Sequence, residues 1–214
     1  MPDTAILFDL DGVLVDSRVA ISRCISHALE TQGVARPSRD SLERFIGPQL
    51  TVALAELTGH QEDSPLVLAC LASYRARYRE ASLRETSVFP GVPAALVALG
   101  EDYRLAVATS KPLAFAEPLL TALALRERFA HVAAPDLDAH QETKQDTIRG
   151  ALSALGASRA VMVGDRSFDI AGAHACGIPA IGVSWGIGST HELRTAGAEV
   201  IVDDPLAGGA EDRA

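Results

Sequence analysis

Two aspartates two positions apart form the first group of residues that could do chemistry. Asp9 directly follows a short apolar run at 5–8, and Asp11 precedes Gly12. Carboxylates at this spacing can converge on one metal ion and one reacting group, and glycine lets the chain turn sharply. The pair alone fits an ordinary polar turn after a strand equally well. A calcium loop of the EF-hand kind fits poorly, because residues 13–15 are apolar where oxygen ligands are needed.

A second acidic pair, Asp165 and Asp169, follows another apolar run at 160–164. The spacing predicts that Asp169 lies at the start of a helix, from which it can face Asp165. Clustered carboxylate oxygens suit a hard dication, which keeps several waters for substrate phosphate. The alternative is that Asp169 only complements the positive end of the helix dipole.

Hydroxyl and amino groups that could hold phosphate oxygens follow other apolar stretches. Thr109 and Ser110 come at the end of the run at 104–109, where a helix N-terminus would offer free N–H groups. Either hydroxyl could instead cap the helix expected to begin near Pro112. Lys144 opens another predicted helix, where its charge opposes the dipole, and this favours an external anionic partner. An ordinary solvated lysine is the alternative.

Together these residues supply what phosphoryl transfer requires. The reaction needs an in-line nucleophile, cations that neutralise phosphoryl charge, and a proton for the leaving oxygen. Strands of a parallel sheet end at a common edge, which is where open α/β sheets bind ligands. The residues therefore predict a phosphoryl-transfer site at that edge.

Short continuous apolar runs predict the elements that position these residues, since such runs are typical of strands buried on both faces of a parallel sheet. The runs lie at 5–8, 104–109, 160–164, 180–184 and 199–202. Helical spacing of apolar residues occurs between them, at 113–124, 144–155 and 168–176. Because strands and helices alternate, we expect an α/β fold with a Rossmann-like parallel sheet core.

Residues 18–85 interrupt this alternation, because their apolar residues recur at helical spacing throughout. We expect a small α-helical cap domain inserted into an α/β core domain that comprises residues 1–17 and 86–214. Arg44 and Arg75 are candidates for binding a second anionic group of a substrate. The simpler interpretation is that each of the two is an ordinary surface arginine on a solvated helix face.

Composition and charge limit the class of protein. The chain has 214 residues, of which 48% are hydrophobic, and this suffices for a core and a small accessory domain. A net charge of −9 argues against polymeric nucleic acid as a partner. The three cysteines are not closely spaced, which is typical of a cytoplasmic protein. The sequence has no apolar segment of the ~20 residues that a membrane span needs, so we expect a protein outside the membrane. Residues 205–214 are expected to form a frayed tail, and monomer and homodimer both stay open.

The motifs resemble those of the haloacid dehalogenase superfamily. Residues 9–17, Asp-Leu-Asp-Gly-Val-Leu-Val-Asp-Ser, are similar to its first motif, Thr109 to the second, Lys144 to the third, and Asp165 with Asp169 to the fourth. The order and spacing of the four motifs cover nearly the whole chain and match the phosphatase branch with a helical cap. The resemblance implies a central first strand and a cap that closes over the carboxyl edge of the sheet.

The resemblance also implies roles in catalysis. Asp9 would attack phosphorus and carry the phosphoryl group, while Asp11 would protonate the leaving oxygen and then deprotonate water. Thr109 and Lys144 would hold the phosphoryl oxygens, and Ser110 is a further candidate for substrate binding.

For the cofactor, the resemblance implies Mg²⁺. Its ligands would be Asp9, the backbone carbonyl of Asp11, and Asp165. Asp169 would be either a fourth ligand or an anchor for the others.

The activity that the resemblance implies is Mg²⁺-dependent hydrolysis of a small phosphomonoester, as in phosphoglycolate phosphatases. Segments 45–48, 108–112 and 162–166 are similar to a 5′-nucleotidase-like subgroup, and a phosphomutase of the β-phosphoglucomutase kind is the other alternative. A haloalkanoic acid dehalogenase or a phospho-accepting receiver domain fits less well, because Asp11 would have no role in either. The substrate itself stays open.

Overall fold

The computed structural model describes residues 4–138 and 143–206. These residues group into two compact units. The helical unit is Ser17–Thr86, and the α/β unit holds the described residues up to Asp16 and from Ser87 onward. The tail expected at 205–214 lies, from residue 207, outside the described residues.

The strands are short and the helices of the α/β unit separate most of them. In chain order the strands are β1 (Thr4–Phe8), β2 (Val15–Asp16), β3 (Ser87–Val88), β4 (Arg104–Ala108), β5 (His131–Ala133), β6 (Arg159–Gly164), β7 (Ala180–Val183) and β8 (Val200–Val202). The α-helices are α1 (Arg18–Thr31), α2 (Arg39–Leu42), α3 (Leu50–Thr58), α4 (Pro65–Glu85), α5 (Val92–Asp102), α6 (Leu113–Ala122), α7 (Lys144–Leu155), α8 (Ser167–Ala175) and α9 (Thr190–Ala196).

The α/β unit is built on a parallel sheet with the strand order β5-β4-β1-β6-β7-β8. β1 therefore lies inside the sheet, between β4 and β6. Phe8, the last residue of β1, is in register with Val107 of β4 and Val163 of β6. Because these strands end together, the residues that follow them emerge at one edge.

Both faces of the sheet are covered, which explains the uninterrupted apolar runs in its strands. Ile6 and Phe8 belong to a core that includes buried residues of α5 and α6. The alternating residues Ala5 and Leu7 belong to a second core, shared with α7, α8 and α9. The α/β class with a Rossmann-like parallel sheet is confirmed. The sequence reading missed β5, α5 and α9.

A two-stranded antiparallel pairing lies where the chain leaves and re-enters the α/β unit. Val15 of β2 pairs with Val88 of β3, so the two passages of the chain lie side by side. The helical unit between them has its largest internal contact between α1 and α4. In α4, Tyr74 and Tyr78 stack with ring centroids 5.0 Å apart. Across the described parts of the chain, no helix combines the length and apolarity needed to cross a membrane.

Candidate active site

Asp9 is the first residue beyond β1 and lies inside the protein. Its backbone N–H donates to the Val163 carbonyl at 2.9 Å, which continues the pairing of β1 with β6. Its side chain is only 6% exposed, and Oδ1 accepts a hydrogen bond of 2.6 Å from Lys144 Nζ. The first acid of the sequence motif is thus a buried carboxylate held by an ammonium group.

Lys144 is fixed by the start of α7. Thr143 caps this helix, and the side chain of Asp146 accepts from the Thr143 N–H in a capping box. The Lys144 ammonium lies between two carboxylates, 2.6 Å from Asp9 Oδ1 and 2.8 Å from Asp169 Oδ1. The lysine therefore lies in the protein interior and not on the solvated surface that was its alternative.

Asp169 joins the helix start to this ion-pair network. Its Oδ2 accepts from the backbone N–H groups of Asp165 at 3.2 Å and Arg166 at 3.0 Å, while Oδ1 faces Lys144. The side chain thus complements the first turn of α8 and also faces the network. One oxygen from each of Asp9, Asp165 and Asp169 lies within 4.8 Å of the others.

Burial and mutual repulsion perturb the protonation of this cluster. Burial, together with the neighbouring Asp169, raises the pKa of Asp9 from 3.8 to about 6, although Lys144 partly opposes the rise. Burial and the charges of Asp169 and Asp9 also raise the pKa of Asp165. Burial alone would lower the pKa of Lys144, but Asp169 and Asp9 outweigh burial and the net pKa is raised. The carboxylates therefore need more positive charge than one lysine supplies.

A divalent cation fits this cluster by charge and by ligand chemistry. Fully ionised, the three carboxylates and Lys144 carry two net negative charges. Among the residues the structure describes, Asp165 Oδ1 is a buried oxygen that accepts no hydrogen bond. Hard dications such as Mg²⁺ bind carboxylate oxygens of this kind. Asp9, Asp165 and Asp169 could hold such an ion.

Gly12 is required by the close approach of the first loop to Asp165. Its φ is +90°, and a Cβ there would lie 2.1 Å from Asp165 Oδ2. A side chain would be strained by the backbone conformation and would also collide with a candidate ligand. The sequence expectation that glycine serves the turn here is confirmed, and the structure adds the contact that demands it.

Asp11 has a partner that the sequence reading missed. Lys111 Nζ lies 2.7 Å from Asp11 Oδ2, and both side chains are largely buried. Lys111 lies within the segment 108–112, directly after a predicted strand. That position is the signal in the sequence that points to it. The pair adds a second ammonium group to the sheet edge.

Thr109 and Ser110 lie in the loop that follows β4. Thr109 is buried, its N–H donates to the Ala133 carbonyl at 3.0 Å, and its Oγ1 accepts from the Lys111 N–H at 3.1 Å. The alternative that either hydroxyl caps the next helix is wrong. α6 begins at Leu113 with Pro112 in the cap position and no side-chain cap. The Thr109 hydroxyl shapes the loop instead.

The two arginine candidates belong to the helical unit. Arg44 lies 2.5 Å from Glu56 and stacks 4.4 Å above the centroid of the Phe45 ring. Arg75 is a partly buried residue of α4. Their proposed role in substrate binding stays a prediction.

Comparison with known proteins agrees with the geometry. The family model for haloacid dehalogenase-like hydrolases matches residues 6–183. The chain belongs to this family. The resemblance drawn from the motifs of this haloacid dehalogenase-like hydrolase is therefore confirmed.

A 5′-nucleotidase of Pseudomonas aeruginosa is 39% identical over 192 residues, which cover 88% of this chain and 86% of that protein. A phosphoglycolate phosphatase of Cupriavidus necator is 34% identical over 95% of this chain and 90% of its own length. A solved structure from Clostridium acetobutylicum, named as a predicted phosphatase, superposes with a TM-score of 0.88 at 33% identity, covering 95% of this chain and 94% of that one.

Proposed function

We propose that the protein is a Mg²⁺-dependent phosphatase that hydrolyses a small phosphomonoester through a phosphoryl group carried on Asp9. The observation that carries the proposal is the burial of Asp9 against Lys144 and two further carboxylates. The Asp11–Lys111 pair two residues further on supports it. Family membership and the phosphatase and nucleotidase names of the relatives support the same reaction class.

Asp9 supplies the nucleophile. One of its carboxylate oxygens bonds to phosphorus while the bond from phosphorus to the leaving oxygen breaks. The hydrogen bond of 2.6 Å from Lys144 to Oδ1 fixes the orientation of the carboxylate. The ammonium charge also offsets the negative charge of the phosphoryl oxygens, which is the main requirement of this transition state.

Asp11 moves the protons. Its Oδ2 is paired with Lys111, whereas Oδ1 is buried and accepts no hydrogen bond from any described residue. We assign proton transfer to Oδ1, which donates to the leaving oxygen in the first step. In the second step the same atom accepts a proton from the water that attacks phosphorus, so inorganic phosphate leaves and Asp9 is restored.

Mg²⁺, when bound, supplies the positive charge that neutralises the carboxylates and the phosphoryl oxygens. Asp9 and Asp165 would hold it, together with the carbonyl of Asp11. Asp169 pairs with Lys144 through Oδ1, and its Oδ2 accepts from the backbone N–H groups of Asp165 and Arg166, which favours the role of an anchor.

Two substrate classes follow from the relatives. Phosphoglycolate is the first candidate, and a nucleoside 5′-monophosphate is the alternative because the nucleotidase relative is 39% identical. We propose that the helical unit acts as the cap domain and reads the leaving group, with Arg44 and Arg75 as candidate contacts. A phosphomutase reaction remains the third possibility.

The first experiment measures hydrolysis of p-nitrophenyl phosphate with Mg²⁺ and with excess chelator. We expect activity only with the metal, and a loss of at least about a thousandfold in Asp9→Asn. Asp102→Asn, which removes an exposed carboxylate from the end of α5, is the matched control and keeps full activity. Equal rates with and without chelator would refute the mechanism.

A substrate panel then separates the candidates by kcat/KM. It contains phosphoglycolate, nucleoside 5′-monophosphates, sugar phosphates and pyrophosphate, with a sugar bisphosphate added to reveal phosphomutase turnover. A preference of about a hundredfold for one class corresponds to about 2.7 kcal/mol of transition-state binding and assigns the substrate.

A further inference from the structure

Glu192 reaches from α9 to the loop that carries Asp165. Its Oε1 accepts from the backbone N–H of Ser167 at 2.8 Å and from Arg166 Nε at 3.1 Å. Ser167 is the first residue of α8, whose N–H has no partner within the helix. Arginine at the cap position has no acceptor atom, so the Ser167 N–H donates to a carboxylate from another helix.

The rest of the β7–α9 connection holds the same loop. The Ile187 N–H donates to Asp165 Oδ2 at 2.7 Å. Gly188 approaches so closely that a Cβ there would lie 1.9 Å from the backbone oxygen of Asp165. One segment, residues 186–192, therefore contacts the side chain of Asp165, its backbone, and the start of the following helix.

Glu192 is itself held in place. Ser189 caps α9 by accepting from the Glu192 N–H at 3.1 Å, and Leu193, the next residue, is fully buried. Burial alone would raise the pKa of Glu192, but the hydrogen bonds from Ser167 and Arg166 outweigh it and the net pKa lies below the usual value. The side chain is therefore ionised at neutral pH.

We infer that Glu192 is a positioning residue for the proposed metal site: it fixes the loop of Asp165 and Asp169 and thereby sets the affinity for Mg²⁺. The inference rests on the proposed function. It assigns Glu192 no contact with substrate. Groups that orient metal ligands in this way typically contribute about 10- to 100-fold in metal affinity.

The test compares Glu192→Ala with Glu192→Gln, which keeps an oxygen that can accept from Ser167. The matched control is Glu199→Ala. Glu199 also accepts a backbone hydrogen bond, 2.7 Å from the Ala180 N–H, and its other partner is His174 in the last turn of α8, at the opposite end of that helix from the loop. The Mg²⁺ concentration that gives half-saturation is measured in two ways. One is the rise in the midpoint of thermal unfolding without substrate, and the other is phosphatase activity.

We expect Glu192→Ala to raise half-saturating Mg²⁺ about tenfold or more in both measurements, with kcat at saturating Mg²⁺ changed by less than about threefold. In Glu192→Gln and Glu199→Ala, the half-saturating Mg²⁺ concentration should stay within about threefold of the wild-type value. If Glu192→Ala does not fold, Glu192→Asp, which withdraws the carboxylate by one methylene, is expected to show the same shift.

The outcomes separate the two proposals. A wild type that responds to Mg²⁺ and an alanine variant with unchanged half-saturation would overturn the role of Glu192 and leave the proposed function standing. An equal shift in Glu199→Ala would also overturn it, because general destabilisation would then explain the result. A wild type with no response to Mg²⁺ would refute the proposed function itself.

Discussion

Asp9 is expected to destabilise the metal-free protein at neutral pH, although the proposed reaction depends on it. Its carboxylate is buried with two others, and the lysine beside it compensates only in part. Burial raises the pKa of Asp9 from 3.8 to about 6. Replacing Asp9 with asparagine keeps the shape of the side chain and removes the charge. The variant should therefore gain stability over the wild type as pH rises.

The magnitude follows from linkage between protonation and folding. Because the pKa is higher in the folded state, the folded protein holds its proton where the unfolded chain has lost it, between about pH 4 and pH 6. Stability is therefore complete at low pH and declines as pH rises through this window. One unit of pKa difference between the folded and unfolded states corresponds to about 1.4 kcal/mol. The total loss in the free energy of unfolding is therefore about 3 kcal/mol. Roughly half of it is lost between about pH 5 and pH 8.

The assay is urea unfolding in excess chelator at about pH 5 and about pH 8, followed by tryptophan fluorescence. Trp185 is the single tryptophan of the chain and lies in the same α/β unit as Asp9, where its Nε1 donates to the Val13 carbonyl at 3.1 Å. The stability of Asp9→Asn relative to the wild type should rise by about 1.5 kcal/mol between the two pH values. Asp102→Asn should show no such rise.

The reasoning would be refuted if the difference in unfolding free energy between Asp9→Asn and the wild type stayed constant within about 0.5 kcal/mol between the two pH values. The charge of Asp9 would then cost nothing in the folded state. A second arm adds Mg²⁺ at about pH 8. The wild type should gain stability from binding, whereas the asparagine variant should gain much less. Equal gains would show that Asp9 is not a ligand.

Two further predictions concern neighbours of Asp9. Gly12→Ala should lower kcat/KM at least about a hundredfold and weaken the response to Mg²⁺, because its Cβ would lie 2.1 Å from Asp165 Oδ2. Gly177→Ala, at φ +73°, would place its Cβ more than 4 Å from other parts of the described structure, so it should cost only about 1–2 kcal/mol of stability and leave kcat/KM unchanged. Lys144→Met should cost about 3–5 kcal/mol in urea unfolding with chelator at neutral pH, because two buried carboxylates lose their cation. The deficit should shrink towards about pH 5 as carboxylates take up protons, and a stability equal to the wild type at neutral pH would contradict the assignment.

The sequence could predict where the site lies because the sheet does most of the positioning. Apolar runs that stop at Asp9, Thr109 and Asp165 mark strand ends, and parallel strands share an edge, so their proximity needs no knowledge of side-chain packing. β5 was missed because it has three residues and begins with His131, which leaves too short an apolar run to recognise.

The contacts that complete the site could not be predicted in this way. Lys111 pairs with Asp11 because the loop after β4 is shaped by the Thr109 hydroxyl, and no residue spacing reports that geometry. Glu192 reaches Ser167 across two helices and a strand, a contact that depends on how α9 packs on the sheet. Periodicity identifies elements, but it does not identify which side chains meet between them.

The contacts of Gly12, Gly188 and Glu192 together explain how a cluster of buried carboxylates is held in place. Burial raises the pKa of both Asp9 and Asp165, and repulsion from Asp169 adds to each rise. Their loops cannot relax apart freely, because Asp165 is held by the Ile187 N–H and its helix is capped by Glu192. Folding energy from the α/β core thus maintains an arrangement that is unfavourable by itself. Binding of a dication would remove that cost, so metal affinity and the rigidity of residues 186–192 should change together.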